Sequence, residues 1–237
     1  MNVLFLGNSL IFYNDMPKLF EQLARAAGKD IFVDSVTKGS ATISHFAAAD
    51  DPLGIRAREM LAGRSWDYVI IEPSRRISPF EDSVLRAETQ AAQVVRQLAA
   101  EAGAKILLYA VWGNNNGEVK EHIAEAPPRM PAVAVHPYPR REHTLFMHQV
   151  AHQIADVLGD APIAEAGLAF ERMLDIAGDT ELYHTDLRHP SLAGSYLAAC
   201  VIFCTIFGEK TEHIPYTAEL TDCHTLQTVA DAIVFGA

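Results

Sequence analysis

Asn2-Val3-Leu4-Phe5-Leu6-Gly7-Asn8-Ser9 opens the chain as an apolar run that stops abruptly on a small polar triplet. Apolar residues from Val3 to Leu6 follow one another without polar alternation, the pattern of a strand buried on both faces. Gly7 permits a sharp turn after it, Asn8 can brace that turn with its side-chain amide, and Ser9 is delivered at the carboxyl end of the strand. Open α/β sheets bind their ligands there. Working outward, Asp15 can cap a helix with Pro17 in its first turn, and Leu19, Phe20, Leu23, Ala24 and Ala27 recur at helical spacing before Gly28. Further strands are predicted at 31–36, 68–71, 105–112 and 161–164. Helices are predicted at 53–62, 82–102, 142–158, 166–176, 191–207 and 217–235. Strands alternating with helices through short connections predict right-handed crossovers and a five-stranded parallel sheet covered on both faces. No repeat or composition shift marks a second unit, so residues 1–237 read as one domain. The rhythm breaks over 113–141, an Asn- and Pro-rich segment starting on the same rim as Ser9. It is predicted to be a long loop suited to covering a substrate.

The bulk properties narrow the function. At 237 residues and 49% hydrophobic content the chain can bury a full core. A net charge of −11, from 19 basic and 30 acidic residues, argues against a nucleic-acid partner. No window approaches the roughly 18 apolar residues of a membrane span. The first residues lack a basic, processed leader, so the expected location is the cytoplasm, although a chain already trimmed of its leader would read the same. Cys200, Cys204 and Cys223 are too few for a disulfide framework, and the first two fit buried thiols on an apolar helix.

A serine hydroxyl is a poor nucleophile without an adjacent imidazole, itself oriented by a carboxylate. Asp186-Leu187-Arg188-His189-Pro190 supplies both groups, if the two ends of the chain meet. His189 would take the proton of Ser9, and Asp186 would hold the ring in the required tautomer. Locally, Asp186 could instead cap a helix starting near Pro190, leaving His189 at the surface. Arg75 and Arg76, after the third strand, could hold an anionic substrate group or be solvated charge; Arg129, Arg140 and Arg141 share that ambiguity. His148 and His152 have the i, i+4 spacing of a zinc chelate, but Gln149 stands where a His-Glu-x-x-His motif has its Glu. His184, Asp186 and His189 form a second potential cluster. No metal and no cofactor is expected, and no Gly-rich phosphate cradle follows the first strand.

Two segments carry a resemblance to the SGNH/GDSL hydrolase superfamily, in a branch whose first block reads Gly-Asn-Ser. The first is Leu6-Gly7-Asn8-Ser9 with Tyr13-Asn14-Asp15-Met16-Pro17. The second is Asp186-Leu187-Arg188-His189-Pro190-Ser191-Leu192-Ala193-Gly194-Ser195-Tyr196, similar to the superfamily's last block. The resemblance implies a flavodoxin-like three-layer α/β/α sandwich and ester hydrolysis through an acyl-enzyme on Ser9, with His189 as base and Asp186 orienting it. It implies an oxyanion hole from the backbone of Ser9 and of Gly39, the glycine after strand two. The superfamily's third block, Gly-x-Asn-Asp, is replaced here by Ile71-Glu72-Pro73-Ser74-Arg75-Arg76. Asn114, after strand four, is a substitute donor by residue type, and Glu72, Arg75 and Arg76 are expected at the substrate. A small acyl ester, such as an acetyl group on a carbohydrate, is the implied substrate class. The missing Asn leaves open a catalytically impaired relative that binds a small sugar-like ligand.

Overall fold

A computed structural model describes residues 1–122, 133–178, 181–221 and 223–236 of the chain. Five parallel strands form the central sheet: β1 (Asn2–Gly7), β2 (Phe32–Thr37), β3 (Tyr68–Ile71), β4 (Lys105–Tyr109) and β7 (Ile163–Ala164), in the order β2-β1-β3-β4-β7. Successive side chains of β1 serve opposite cores, as a pleated strand requires. Val3 and Phe5 pack with α2 (Met16–Ala26), α7 (Ala166–Ile176), α8 (Leu192–Phe207) and α9 (Cys223–Phe235). Leu4 and Leu6 pack with α3 (Ile43–Ala47), α4 (Pro52–Gly63), α5 (Ser83–Glu101) and α6 (Arg140–Val157). Each such side chain contributes about 1.5–3 kcal/mol by leaving water. The three-layer sandwich is therefore as expected, and its strand order changes direction beside β1, placing a crevice at the carboxyl ends of β1 and β3.

Four local expectations need correction. Asp15 does not cap α2; Asn14 and Asp15 both take left-handed backbone conformations. The side-chain cap instead sits seven residues earlier, where the Asn8 side chain accepts from the Leu10 amide and starts the short helix α1 (Ser9–Phe12). Strand β4 ends at Tyr109, three residues early, although Trp112 is fully buried and stacks on Phe170 at 3.8 Å. The segment 113–141 is not all loop. Within it β5 (Glu118–His122) and β6 (Val133–Pro137) pair antiparallel, Val119 against His136, and α6 already begins at Arg140. Alternation in Glu118-Val119-Lys120 marks that strand; the Pro-rich composition that argued for loop is concentrated in 127–131, which lies outside the described residues. The closing helix starts at Cys223 rather than at residue 217.

Candidate active site

Asn8 organises the turn after β1. Its side-chain oxygen caps α1, its amide nitrogen donates to the Ala41 carbonyl at 3.1 Å, and its backbone N–H donates to Glu72 Oε1 at 3.0 Å. Gly7 is required for closeness rather than for its dihedral freedom. A Cβ there would stand 2.4 Å from Ile11 Cδ1 and 3.2 Å from Glu72 Cδ. Ser9 follows as the first residue of α1, so its own N–H has no carbonyl acceptor within the helix.

Across the rim, residues 182–191 fold into a tight, hairpin-like turn. His184 N–H donates to the His189 carbonyl at 2.8 Å, and Ser191 N–H to the Leu182 carbonyl at 2.9 Å. Ser191 caps α8, so Asp186 is free of that duty. Asp186 Oδ1 accepts from the backbone N–H groups of Arg188 and His189, each at 2.9 Å. Its Oδ2 lies 2.6 Å from His189 Nδ1, and His189 Nε2 lies 2.8 Å from Ser9 Oγ. Some burial raises the Asp186 pKa, but the hydrogen bonds from His189 and Arg188 outweigh it and hold the carboxyl well below the usual carboxylate range. An ionised Asp186 can only accept, which puts the proton on Nδ1 and leaves Nε2 to accept from the Ser9 hydroxyl.

The turn is held from several elements. Tyr13 stacks on the His189 ring at 4.1 Å with a 7° interplanar angle. Asn14 Nδ2 donates to the Pro190 carbonyl at 3.1 Å, and Trp112 Nε1 to the Arg188 carbonyl at 3.2 Å. Gly194 lets α8 approach: a Cβ there would meet the Leu182 carbonyl at 2.3 Å and Phe170 Cζ at 2.8 Å. Tyr13 and Asn14 lie in the first matching segment, but nothing in the sequence says which residues clamp His189.

The Ser9 hydroxyl and His189 open onto a cavity of about 300 Å³. A larger cleft of about 660 Å³ lies at the amino end of β4, beside Ala104 and Lys105, and among the described residues no serine, cysteine or histidine lines it.

Among solved structures, the chain is 25% identical to a protein of Slackia heliotrinireducens provisionally assigned as an SGNH hydrolase. The match covers 87% of this chain and 98% of that one, with a TM-score of 0.64. The chain is similar to SGNH hydrolases, in sequence as well as in fold. A DUF4886 family protein from Bacteroides uniformis agrees in fold at 16% identity, with 99% and 95% of the two chains covered and a TM-score of 0.72. So does an acetyl xylan esterase at 14% identity, with 87% and 100% covered and a TM-score of 0.56. No protein-family model matches the chain, and neither does any curated protein.

Within the SGNH frame, the remaining expected residues are placed unevenly. Gly39 is exposed on the turn after β2, and its neighbour Ser40, in a left-handed conformation, lines the Ser9 cavity. Asn114 lines the cavity, but its side chain is engaged: Oδ1 accepts from Arg75 Nη1 at 2.8 Å and Nδ2 donates to the Glu118 carbonyl at 2.9 Å. Arg75 Nη1 also donates to the Arg188 carbonyl at 2.9 Å. Arg75 and Arg76 both line the cavity, joined by Arg188 and Lys120, which sequence reasoning missed. Arg140 and Arg141 are spent on Glu171 and Asp175 of α7, and Arg129 lies outside the described residues.

Glu72 is corrected outright. It is 2% exposed, lies beneath the Asn8 turn and does not line the cavity, so it is a bracing group rather than a substrate contact. Burial raises its pKa from 4.5 to about 8, against the lowering effects of the Asn8 N–H and Arg75. The folded state therefore holds this proton where the unfolded chain has released it. The resulting contribution is most favourable below pH 4.5 and is progressively lost as pH rises towards 8. Glu72→Gln keeps an acceptor for Asn8 and removes the titration. Urea unfolding at pH 5 and pH 8 is expected to show the wild type losing on the order of a few kcal/mol more than the variant. Parallel losses would contradict a buried, protonated Glu72.

Proposed function

We propose that the protein is a serine esterase acting on a small acyl ester through an acyl-enzyme formed on Ser9. The observation that carries this reading is the continuous relay from Ser9 Oγ to His189 Nε2 at 2.8 Å and from His189 Nδ1 to Asp186 Oδ2 at 2.6 Å. As Ser9 Oγ attacks the ester carbonyl, His189 takes its proton, and Asp186 stabilises the imidazolium that results. The negative charge developing on the carbonyl oxygen is met by the unpaired Ser9 N–H together with the backbone of the Gly39-Ser40 turn; one such donor is worth roughly 3–4 kcal/mol in the transition state. His189 then returns the proton to the departing alcohol oxygen. Water attacks the acyl-serine by the same route in reverse, releasing the carboxylic acid and restoring Ser9.

An acetyl ester on a carbohydrate is the substrate class we favour, supported by the small cavity and by likeness in fold to an acetyl xylan esterase. Hydrolysis of a short-chain aryl acetate, together with covalent labelling by a fluorophosphonate probe, tests the reading. Labelling of wild type but not of Ser9→Ala is expected. A second reading, a binding protein that has lost catalysis, draws on the committed Asn114 side chain and the absent third-block Asn. It requires that neither turnover nor labelling occurs.

The rim adds a charge preference. Among the described residues, Arg75, Arg76, Lys120 and Arg188 line the cavity, no carboxylate does, and none of the four forms a salt bridge. Burial and the neighbouring Arg188 push the Arg75 pKa down to about 10, and the nearby Glu72 is mostly protonated at neutral pH. Cations crowded in a half-desolvated cleft are offset by a bound anion. On a chain of net charge −11 the positive rim is a local feature, able to select substrates rather than steer them from afar. At low salt, 4-acetoxybenzoate is expected to exceed 4-acetoxybenzamide in kcat/KM by about tenfold. Added salt and the double variant Arg76→Gln, Lys120→Gln should both shrink that ratio. Equal rates for the two esters at every salt concentration would remove the charge preference while leaving the esterase reading intact.

A further inference from the structure

Away from the Ser9 cavity, α6 and the junction between β7 and α7 bring three metal-ligating side chains to one point. His148 and His152 are four residues apart on α6 and so share a face of that helix. Glu165 follows β7 directly and precedes α7. Its Oε1 stands 2.9 Å from His148 Nδ1 and 2.9 Å from His152 Nε2, and the three residues' donor atoms lie within 4.8 Å of one another. The two imidazoles meet edge to face, at 4.4 Å between centroids and 64° between planes.

Two unpartnered atoms distinguish this cluster from an ordinary ion pair. Despite its proximity to Glu165, His148 Nδ1 is buried and makes no hydrogen bond, and Glu165 Oε2 is likewise buried without a partner. Buried polar atoms are rarely left in that condition, and each one is costly. An ion that takes the His148 Nδ1 lone pair and is held by both carboxylate oxygens of Glu165 removes the deficit.

We propose that His148, His152 and Glu165 bind a divalent transition-metal ion, with zinc the best match. Two imidazoles and one carboxylate suit this borderline-soft ion, and bonds of about 2.0–2.2 Å to each would hold the donors roughly 3–3.5 Å apart. The separations from Glu165 Oε1 are already close to that. With the His152 side chain 52% exposed, the outer face of the site is open to water as a fourth ligand. None of the three residues lines the Ser9 cavity, so the ion acts as a clamp between α6 and the end of β7, outside the ester chemistry. The helix pair without a His-Glu-x-x-His motif is thereby completed by a carboxylate from a different element.

The test uses the full chain, stripped with a chelator and titrated with Zn²⁺ by calorimetry and with Co²⁺ by visible absorption. One equivalent should bind, with a rise of several degrees in the thermal midpoint and a Co²⁺ band of a low-coordinate nitrogen and oxygen site. His152→Ala and Glu165→Gln should each weaken binding at least tenfold, with folding checked by circular dichroism. His184→Ala, which perturbs the other histidine cluster, should not. Absence of stoichiometric Zn²⁺ binding and of the Co²⁺ band in the wild type would overturn the site. So would binding that survives both α6 and Glu165 substitutions but disappears in His184→Ala.

Discussion

Ser9→Ala is expected to lower kcat on an aryl acetate by roughly 10⁴–10⁶-fold while leaving the fold and the thermal midpoint nearly unchanged. The hydroxyl makes its hydrogen bond to His189 Nε2, and the Asn8 cap that starts α1 does not depend on it. Removing it therefore deletes the nucleophile and little else. His189→Ala should cost a comparable factor, and the double variant little more than either alone, because members of such a relay act as a unit. Burst-phase acyl-enzyme formation measured by rapid quench checks the step directly. If Ser9→Ala retained wild-type turnover, the hydrolysis observed would belong to another group and the acyl-enzyme on Ser9 would be abandoned.

Asp186→Asn should cost about 10⁴-fold in kcat, for a different reason. Asn retains an oxygen for the Arg188 and His189 N–H groups, so the turn that delivers His189 is preserved. At the other position an amide N–H then faces His189 Nδ1, where the carboxylate Oδ2 stood at 2.6 Å. The ring must present a lone pair there, which moves its proton to Nε2 and blocks acceptance from Ser9. The loss should fall on kcat with KM little changed, since substrate contacts are untouched. A small effect would mean that Tyr13 stacking and the backbone clamps fix the tautomer without the carboxylate.

The Glu72 reassignment illustrates where residue type misleads. In the sequence, Ile71-Glu72-Pro73-Ser74-Arg75-Arg76 ends a strand on the functional rim, so every polar member is a candidate contact. In the fold, β3 lies between β1 and β4, and Glu72 turns inward toward the β1 side to hold the Asn8 N–H. Its neighbours Arg75 and Arg76 reach the cavity. Linear order does not record which side of a strand end faces the solvent crevice. Lys120 was missed for a related reason: the Pro-rich composition of 113–141 obscured the short alternating strand that carries it to the rim.

The sequence by itself determined the layered architecture, because unbroken apolar runs at 3–6, 68–71 and 106–109 have no stable home except a sheet covered on both faces. It also singled out Ser9, Asp186 and His189 as candidates, since nucleophile, base and orienting acid each demand a particular side-chain chemistry. Only the tertiary structure decided that a hydroxyl and an imidazole 180 residues apart stand 2.8 Å from each other. It alone placed Glu165 against the α6 histidines and gathered four cations around one cavity. Local patterns encode burial and turn preference, whereas contacts between distant segments follow from how the buried faces of separate elements pack together.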